Sequence, residues 1–545
     1  MQNTWLVLLP PLIVVLCAAL IRHVRWSLVV GIISALMIAY DFSVTKVVPE
    51  FFYKIWATTE LGKIKSWQAV KHLDFAFICL FLVVLGVIIA ALQFSGGAYA
   101  YGNVVSKRLK NARQAESSSI ILSFFFFIDD YFSCLIVGSV MRLITDRFKV
   151  PRVKLALLAN SMAAPLAVLL PISSWAAYII LQIGQAGVGT SSSTGVTVIG
   201  DPFYVYMNMI PFFFYSVITI FSLWFIVLRR VSYGVLCTHE EIAQKTGNLF
   251  GGKTPETKKV DTISDDTIAQ SSLWDFIVPI GSLFLVVMLM ILYTGDWCFF
   301  GGKNSLLLAL QNANSSISLF IGSFTALIIT FSFLFARQKI NLIQIVHVCR
   351  EGVMILGPSA ITLILIKTFS NLLRFDLATG NYLAQVLIGH VSIVFLPAIF
   401  FLVAVLTATM IGSAWGAIGI YVPIAIPLLI SLSHVQTPVS LAALPALFPL
   451  LGALISGAVV GNHLSPMSDT MLMASTGTGA NHMDVIKTQY SFTWPCVFAT
   501  AIAFLIAGLL VGACSLKLNI LISLIIGLIL NMLVLSFLNM RKQKK

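Results

Sequence analysis

The chain has 545 residues, of which 59% are apolar types and only 10% are charged, and its formal net charge is +13. A soluble globular domain carries roughly 25% charged residues, and single domains rarely grow beyond about 300 residues, so a soluble chain of this length needs several polar surfaces. These proportions exclude a soluble enzyme, a nucleic-acid-binding domain and a disordered protein, and they leave an all-α polytopic membrane protein, because long apolar stretches favour helices over a β-barrel.

The first apolar run, MQNTWLVLLPPLIVVLCAAL, has no basic region ahead of it and its positive charges follow it. It reads as a membrane span and not as a cleaved signal. Together with that run at about 5–21, spans are expected at about 26–40, 75–98, 155–182, 204–228, 273–293, 315–336, 352–373, 385–407, 415–433, 440–461, 491–513 and 517–539, thirteen in all. The apolar segment 117–141 is treated differently. Lys107 to Arg113 precede it and Arg142 to Lys154 follow it. Short basic loops belong on the cytoplasmic side, so the segment enters and returns on one side as a re-entrant hairpin or broken helix. Its centre reads FFFFIDDYF, and two carboxylates cannot face lipid.

With that choice the N-terminus lies outside, while Arg229–Arg230, Arg337, Lys339 and the tail Arg541 to Lys545 lie in the cytoplasm, as does the loop with Arg22 and Arg25. The net charge therefore reflects orientation and not nucleic acid. The expected organisation is 1–73 as N-terminal helices and an external loop, 74–230 as a first transport repeat, and 231–272 as a cytoplasmic linker. Then follow 273–314 as a connecting helix and loop, 315–513 as a second transport repeat, and 514–545 as a C-terminal helix and basic tail. Inverted repeats are suggested by Ser173-Ser174-Trp175-Ala176-Ala177, which resembles Ser413-Ala414-Trp415-Gly416-Ala417. Small-residue breaks in matching places of two halves point to a transporter binding site. The stretch 338–351 reads as an interfacial helix. The eight cysteines form no CxxC pair and no zinc spacing, so they read as small apolar fillers.

Four constellations carry chemistry. Asp129 and Asp130 are intramembrane carboxylates, and a functional role is the default for such groups. Burial disfavours a charged carboxylate, so one carboxyl can hold a proton when no cation is present. Competition for that group is the simplest route to exchange. The second is Asn160, Ser161 and Pro165, followed by Pro171, Ser173, Ser174 and Trp175, where the prolines free backbone carbonyls beside hydroxyls. The third is Thr409, Gly412, Ser413 and Trp415. The fourth is Asn462, His463, Ser465, Pro466, Ser468, Asp469 and Thr470, with His463 a proton relay or a structural hydrogen-bonder. Asp129, Asp130 and Asp469 are the expected transient Na⁺ ligands. Lys367 reads as a side chain reaching for the interface near Arg374.

The stretch FFIDDYFSCLIVGSVMRLITDRFKVPRVKLALLANSMAAPLAVLLPISSWAAYI resembles the first signature of the NhaC-type sodium/proton antiporter family. GSAWGAIGIYVPIAIP is similar to the middle signature and GNHLSPMSDTMLMASTGTGANHMDVIKTQ to the last. The resemblance implies a secondary transporter with inverted repeats and re-entrant hairpins that exchanges Na⁺ or Li⁺ for protons. Relatives of that family also carry organic acids or amino acids. The family pattern has Asp where this chain has Asn160 and Asn462, Thr at Ile136 and Met162, Asn at Ser133 and Ser at Ala414. Fewer carboxylates favour the second expectation, a Na⁺- or H⁺-coupled carrier of an amino acid or small carboxylate, with Trp175 and Trp415 lining its pocket. Scattered polar sites argue against a channel, and the absence of HExxH, GxSxG and a Ser/Lys pair argues against an enzyme. No cofactor is expected beyond the transported Na⁺ and H⁺. The expected partners are membrane lipid, the ions, a small organic substrate under the second expectation, and a second copy in a homodimer, with no nucleic acid. The expected location is a bacterial inner membrane.

Overall fold

The computed structural model describes residues 4–21, 24–60, 73–97, 109–189, 196–253, 271–304, 313–379 and 391–543, with isolated positions between them. Arg22, Lys107, Arg108, the linker stretch 254–270 and the last two lysines lie outside the described residues. Among the described residues, 11 helices are long and apolar enough to cross a membrane, and Trp5–Val14 and Arg25–Ala39 are shorter apolar helices. The all-α expectation holds.

The first helices are α1 (Leu9–Ile21), α2 (Val24–Ala39), α3 (Val44–Thr58) and α4 (Asp74–Phe94). α5 (Ala112–Phe125) starts at Asn111, whose side chain caps it by accepting from Gln114 N at 2.9 Å. α6 (Asp130–Arg147) and α7 (Arg152–Leu169) follow. Lys154, in the first turn of α7, lies 3.1 Å from Glu116 in the first turns of α5. Arg152 pairs with Asp146, at the far end of α6, at 2.7 Å. The start of α5 and the end of α6 are therefore on one face of the bundle. The segment 117–141 enters and returns, as its charges require. Arg230, after α10 (Phe214–Arg229), also reaches Glu116 at 2.7 Å. This end of the molecule is the basic face.

α7 runs inward from that face and stops at 170–173, where Pro171 denies the helix a donor. α8 (Ser174–Gln185) continues to the opposite face. There strand β1 (Val188–Gly189) pairs in parallel with β2 (Val198–Ile199), and α9 (Pro202–Met209) turns back toward α10. After α11 (Gly234–Thr246) on the basic face come α12 (Trp274–Thr294), α13 (Ser315–Ala336) and α14 (Leu342–Asn371). Asn341 opens α14 with a capping box, so 342–351 is the start of this 30-residue helix and not a separate interfacial one. Lys367 pairs with Glu60 at 3.1 Å, a correction to the reading that it reaches toward Arg374. Close crossing of α4 and α14 needs glycine at the contact: a Cβ on Gly86 would stand 2.3 Å from Gly352 O.

The second half differs from the thirteen-span expectation. α15 (Leu396–Ile411) and α16 (Ala414–Leu432) are not two spans. Val394, just before α15, sits against Gly508 at the end of α19 (His482–Leu509), whose first turn holds Asp484 paired with Lys253 at the basic face. α15 therefore begins on the opposite face. α16 ends there too, because the chain after it forms β3 (Val439–Ser440), which extends the β1–β2 sheet. The tip between them stops at the end of α17 (Leu447–Leu464), where Asn462 Oδ1 accepts from Ala414 N and Gly461 lies against Ala408, short of the basic face, so α15 and α16 are a second re-entrant hairpin, entering from the side opposite the first. α17, a break at 465–468 and α18 (Asp469–Thr478) then cross to the basic face, where Thr478 O accepts from Arg152. α20 (Leu516–Gln543) ends there beside Ser232.

Hairpin then broken helix thus occurs twice with opposite sense. The similar pentapeptides at Ser173 and Ser413 do not correspond in this symmetry. One is the break of a crossing helix and the other a hairpin tip. They are alike because each caps a helix: Ser173 accepts from Ala176 N at 3.0 Å and Ser413 from Gly416 N at 3.3 Å.

Candidate functional site

The four interruptions of the two repeats meet inside the bundle. At the tip of the first hairpin, Asp129 accepts from the Ser174 hydroxyl at 3.0 Å, and Ile128 O accepts from Ser174 N at 2.9 Å. The first tip is thereby fastened to the first broken helix. Trp175 stands edge-on to Trp415, ring centroids 6.3 Å apart, which joins that helix to the second tip. Tyr178 stacks on Trp415 at 4.7 Å and its hydroxyl donates to Trp415 O. Asn462, in the second broken helix, accepts from Ala414 N at 3.1 Å, which fastens the second tip in turn. All of this is buried.

Asp130 is the most exacting member. It is 1% exposed, and neither carboxylate oxygen has a hydrogen-bond partner among the described residues. A buried carboxylate without partners is costly, so it must be neutralised by a proton or a cation. The Ser133 hydroxyl, one turn along α6, is likewise buried and unpartnered. Asp130 and Ser133 can supply oxygen ligands to a hard cation in the first turn of α6. The Trp175 indole lies beside the Asp130 carboxyl.

The other expected residues divide. Ser173 is occupied by its cap and by Ala167 O at 2.6 Å. Ser161 accepts from Gln489 Nε2 at 2.8 Å, and Asn160 donates to Gln489 Oε1 at 3.2 Å. Where the family pattern carries an acid, Asn160 is thus held by an amide from α19. His463 Nδ1 is 2.7 Å from the Tyr215 hydroxyl, and its Nε2 has no partner among the described residues. Ser468 and Thr470 bond each other at 2.9 Å, and Ser465 is buried in the break. Thr409, at the end of α15, keeps an unpartnered buried hydroxyl, and the Trp415 indole N–H is also unpartnered. Asp469 is exposed in the first turn of α18. Among the described residues no three His, Cys, Asp or Glu side chains gather in a metal-holding group, so Asp129, Asp130 and Asp469 do not make one cage.

Gln489, Tyr178 and Tyr215 were not singled out from the sequence. Gln489 carries a signal, a lone amide four residues from Thr493 in an apolar helix. The tyrosines carry none.

Two opposed hairpins and two broken helices around a buried carboxylate define a secondary-transporter architecture. The model of the Na⁺/H⁺ antiporter family matches residues 166–509. An uncharacterized protein of Haemophilus influenzae is 31% identical over 513 residues, covering 93% of this chain and 91% of its own. The chain belongs to the Na⁺/H⁺ antiporter family, the family its motifs resemble, and it is a transporter. A solved structure, the Alcanivorax borkumensis YdaH transporter, is 12% identical, with a TM-score of 0.43, covering 83% of this chain and 90% of its own. The matched segment begins at Leu166, beyond Asp129 and Asp130.

Proposed function

We propose that the protein exchanges Na⁺ or Li⁺ for H⁺, with cation and proton competing for the carboxylates Asp129 and Asp130. The observation that carries this reading is Asp130, buried at a hairpin tip with both oxygens unpartnered. One negative group in a dry site holds either a proton or a cation, and the exclusion of both states at once couples the two fluxes. Asp129, steadied by Ser174, adds the second charge. The basic face is cytoplasmic and the N-terminus is outside, as the loop charges argue, and under this reading the membrane is a bacterial inner membrane. A homodimer in lipid is the working assembly under this reading.

The test is purified protein in proteoliposomes with an internal pH dye and an imposed pH gradient. Na⁺ or Li⁺ is expected to dissipate the gradient and K⁺ is not. Asp130→Asn is expected to abolish the response; exchange that persisted in this variant would remove Asp130 from the mechanism.

One observation favours a second reading, coupled uptake of an amino acid or small carboxylate. The buried Trp415 indole N–H is donor-only and cannot ligate a cation, so it suits a carboxylate-bearing substrate. Saturable uptake of a labelled amino or carboxylic acid under a Na⁺ gradient would establish it.

A further inference from the structure

A second polar feature leads away from the carboxylates. α10 leaves the bundle centre for the basic face, and Tyr215, Thr219 and Ser222 follow one another along it at helical spacing, all buried. The Tyr215 hydroxyl is 2.7 Å from His463 Nδ1 at one end, and it lies beside Thr219 and Thr493. The thiol of Cys496, on α19, lies beside Thr219 and is 3.8 Å from the Ser222 hydroxyl. Asn531, on α20, donates to that hydroxyl and stands 3.7 Å from the Cys496 sulfur. Four helices, α10, α17, α19 and α20, thus contribute to one line of buried polar groups. From Cys496 the basic face is approached through Tyr233, whose hydroxyl donates to Ser491 O at 3.3 Å.

The line is incompletely satisfied. At its two ends His463 Nε2 and Asn531 Oδ1 have no partner among the described residues, although both are buried. Leaving each unpaired costs about 1–3 kcal/mol, and water is the group that relieves it. Hydroxyls and water both donate and accept, so a proton entering one end of such a file releases another at the far end. Nothing in the line carries a fixed charge to hold a metal cation.

We propose that this line, from His463 through Tyr215, Thr219, Cys496 and Ser222 to Asn531, is a water-filled proton route between the site and the basic face, distinct from the position of the cation at Asp130. The route rests on the proton-coupled reading above for its purpose, but its water file is testable without transport. Hydroxyl-radical footprinting of the full-length protein in lipid reports side chains beside buried water. Cys496 and Tyr215 are expected to be modified early, whereas Tyr206, buried with its hydroxyl bonded to Val168 O at 2.7 Å, stays inert. If Cys496 and Tyr215 were as inert as Tyr206, the route would fall, whatever the vesicle assay showed. The second arm is S222A/N531L. It is expected to slow proton movement about tenfold, the value of one lost bridging hydrogen bond at the barrier, with Na⁺ binding measured by ²²Na⁺ unchanged. Unchanged proton flux in that folded variant would also overturn the route. Labelled Cys496 and Tyr215 with vesicles that never move protons would sink the antiport reading and leave the water file standing.

Discussion

Lys154 is 1% exposed and sits between two acids, 3.1 Å from Glu116 and 2.6 Å from Glu240. Removing one partner from a buried ion network leaves charge uncompensated, at about 3–5 kcal/mol. Lys154→Met is therefore expected to lower the thermal midpoint in detergent strongly; a midpoint within a degree or two of the parent's would show that the ammonium contributes little. Asn462 illustrates the opposite case, a neutral side chain where the family pattern is acidic. Its Oδ1 caps the second hairpin tip at Ala414 N, and an aspartate keeps that acceptor. Asn462→Asp is expected to lower stability in the absence of Na⁺, because it buries a further carboxylate, and to tighten Na⁺ binding, while Asn462→Ala is expected to lose about 1 kcal/mol of stability. Calorimetry and ²²Na⁺ binding read the two effects separately.

The hairpins depend on how closely helices can approach and on how their tips turn. Gly412 closes the second tip at φ +75°, a conformation that costs other residues about 1 kcal/mol. Gly461 lets α17 lie on α15: a Cβ there would stand 2.1 Å from the Ala408 Cβ. Gly461→Val is expected to destabilise by about 1–3 kcal/mol through overpacking and to slow transport, because it wedges the second hairpin away from the helix that carries His463. Transport at the parental rate with parental stability would show that this contact yields freely. The first hairpin was legible in the sequence because basic clusters flank both its ends. The second was not, since 385–407 and 415–433 are each long and apolar enough to cross and no charge marks the tip.

Across the whole molecule, the ion pairs gather the ends of α5, α6, α7, α10 and α19 on one face, and the three-stranded sheet closes the other. Cys237 lies on α11 at the basic face, and exposed Cys298 follows α12 at the opposite one. In intact cells an impermeant maleimide is expected to label Cys298 and to reach Cys237 only after permeabilisation. The reverse pattern would invert the assigned orientation.

Composition and charge placement alone determined that the chain spans a membrane as helices, that 117–141 returns to its starting face, and that Asp129 and Asp130 are buried at its turn. These follow from the cost of exposing polar groups to lipid, which is paid locally and is therefore written locally. The pairing of elements was decided only by tertiary structure. Whether an apolar run crosses or turns back, whether Asp469 joins the carboxylates or stays exposed, and whether Tyr215 meets His463 depend on which helices pack together. Apolar side chains that satisfy lipid and helix neighbour equally well leave no mark of that choice in the chain.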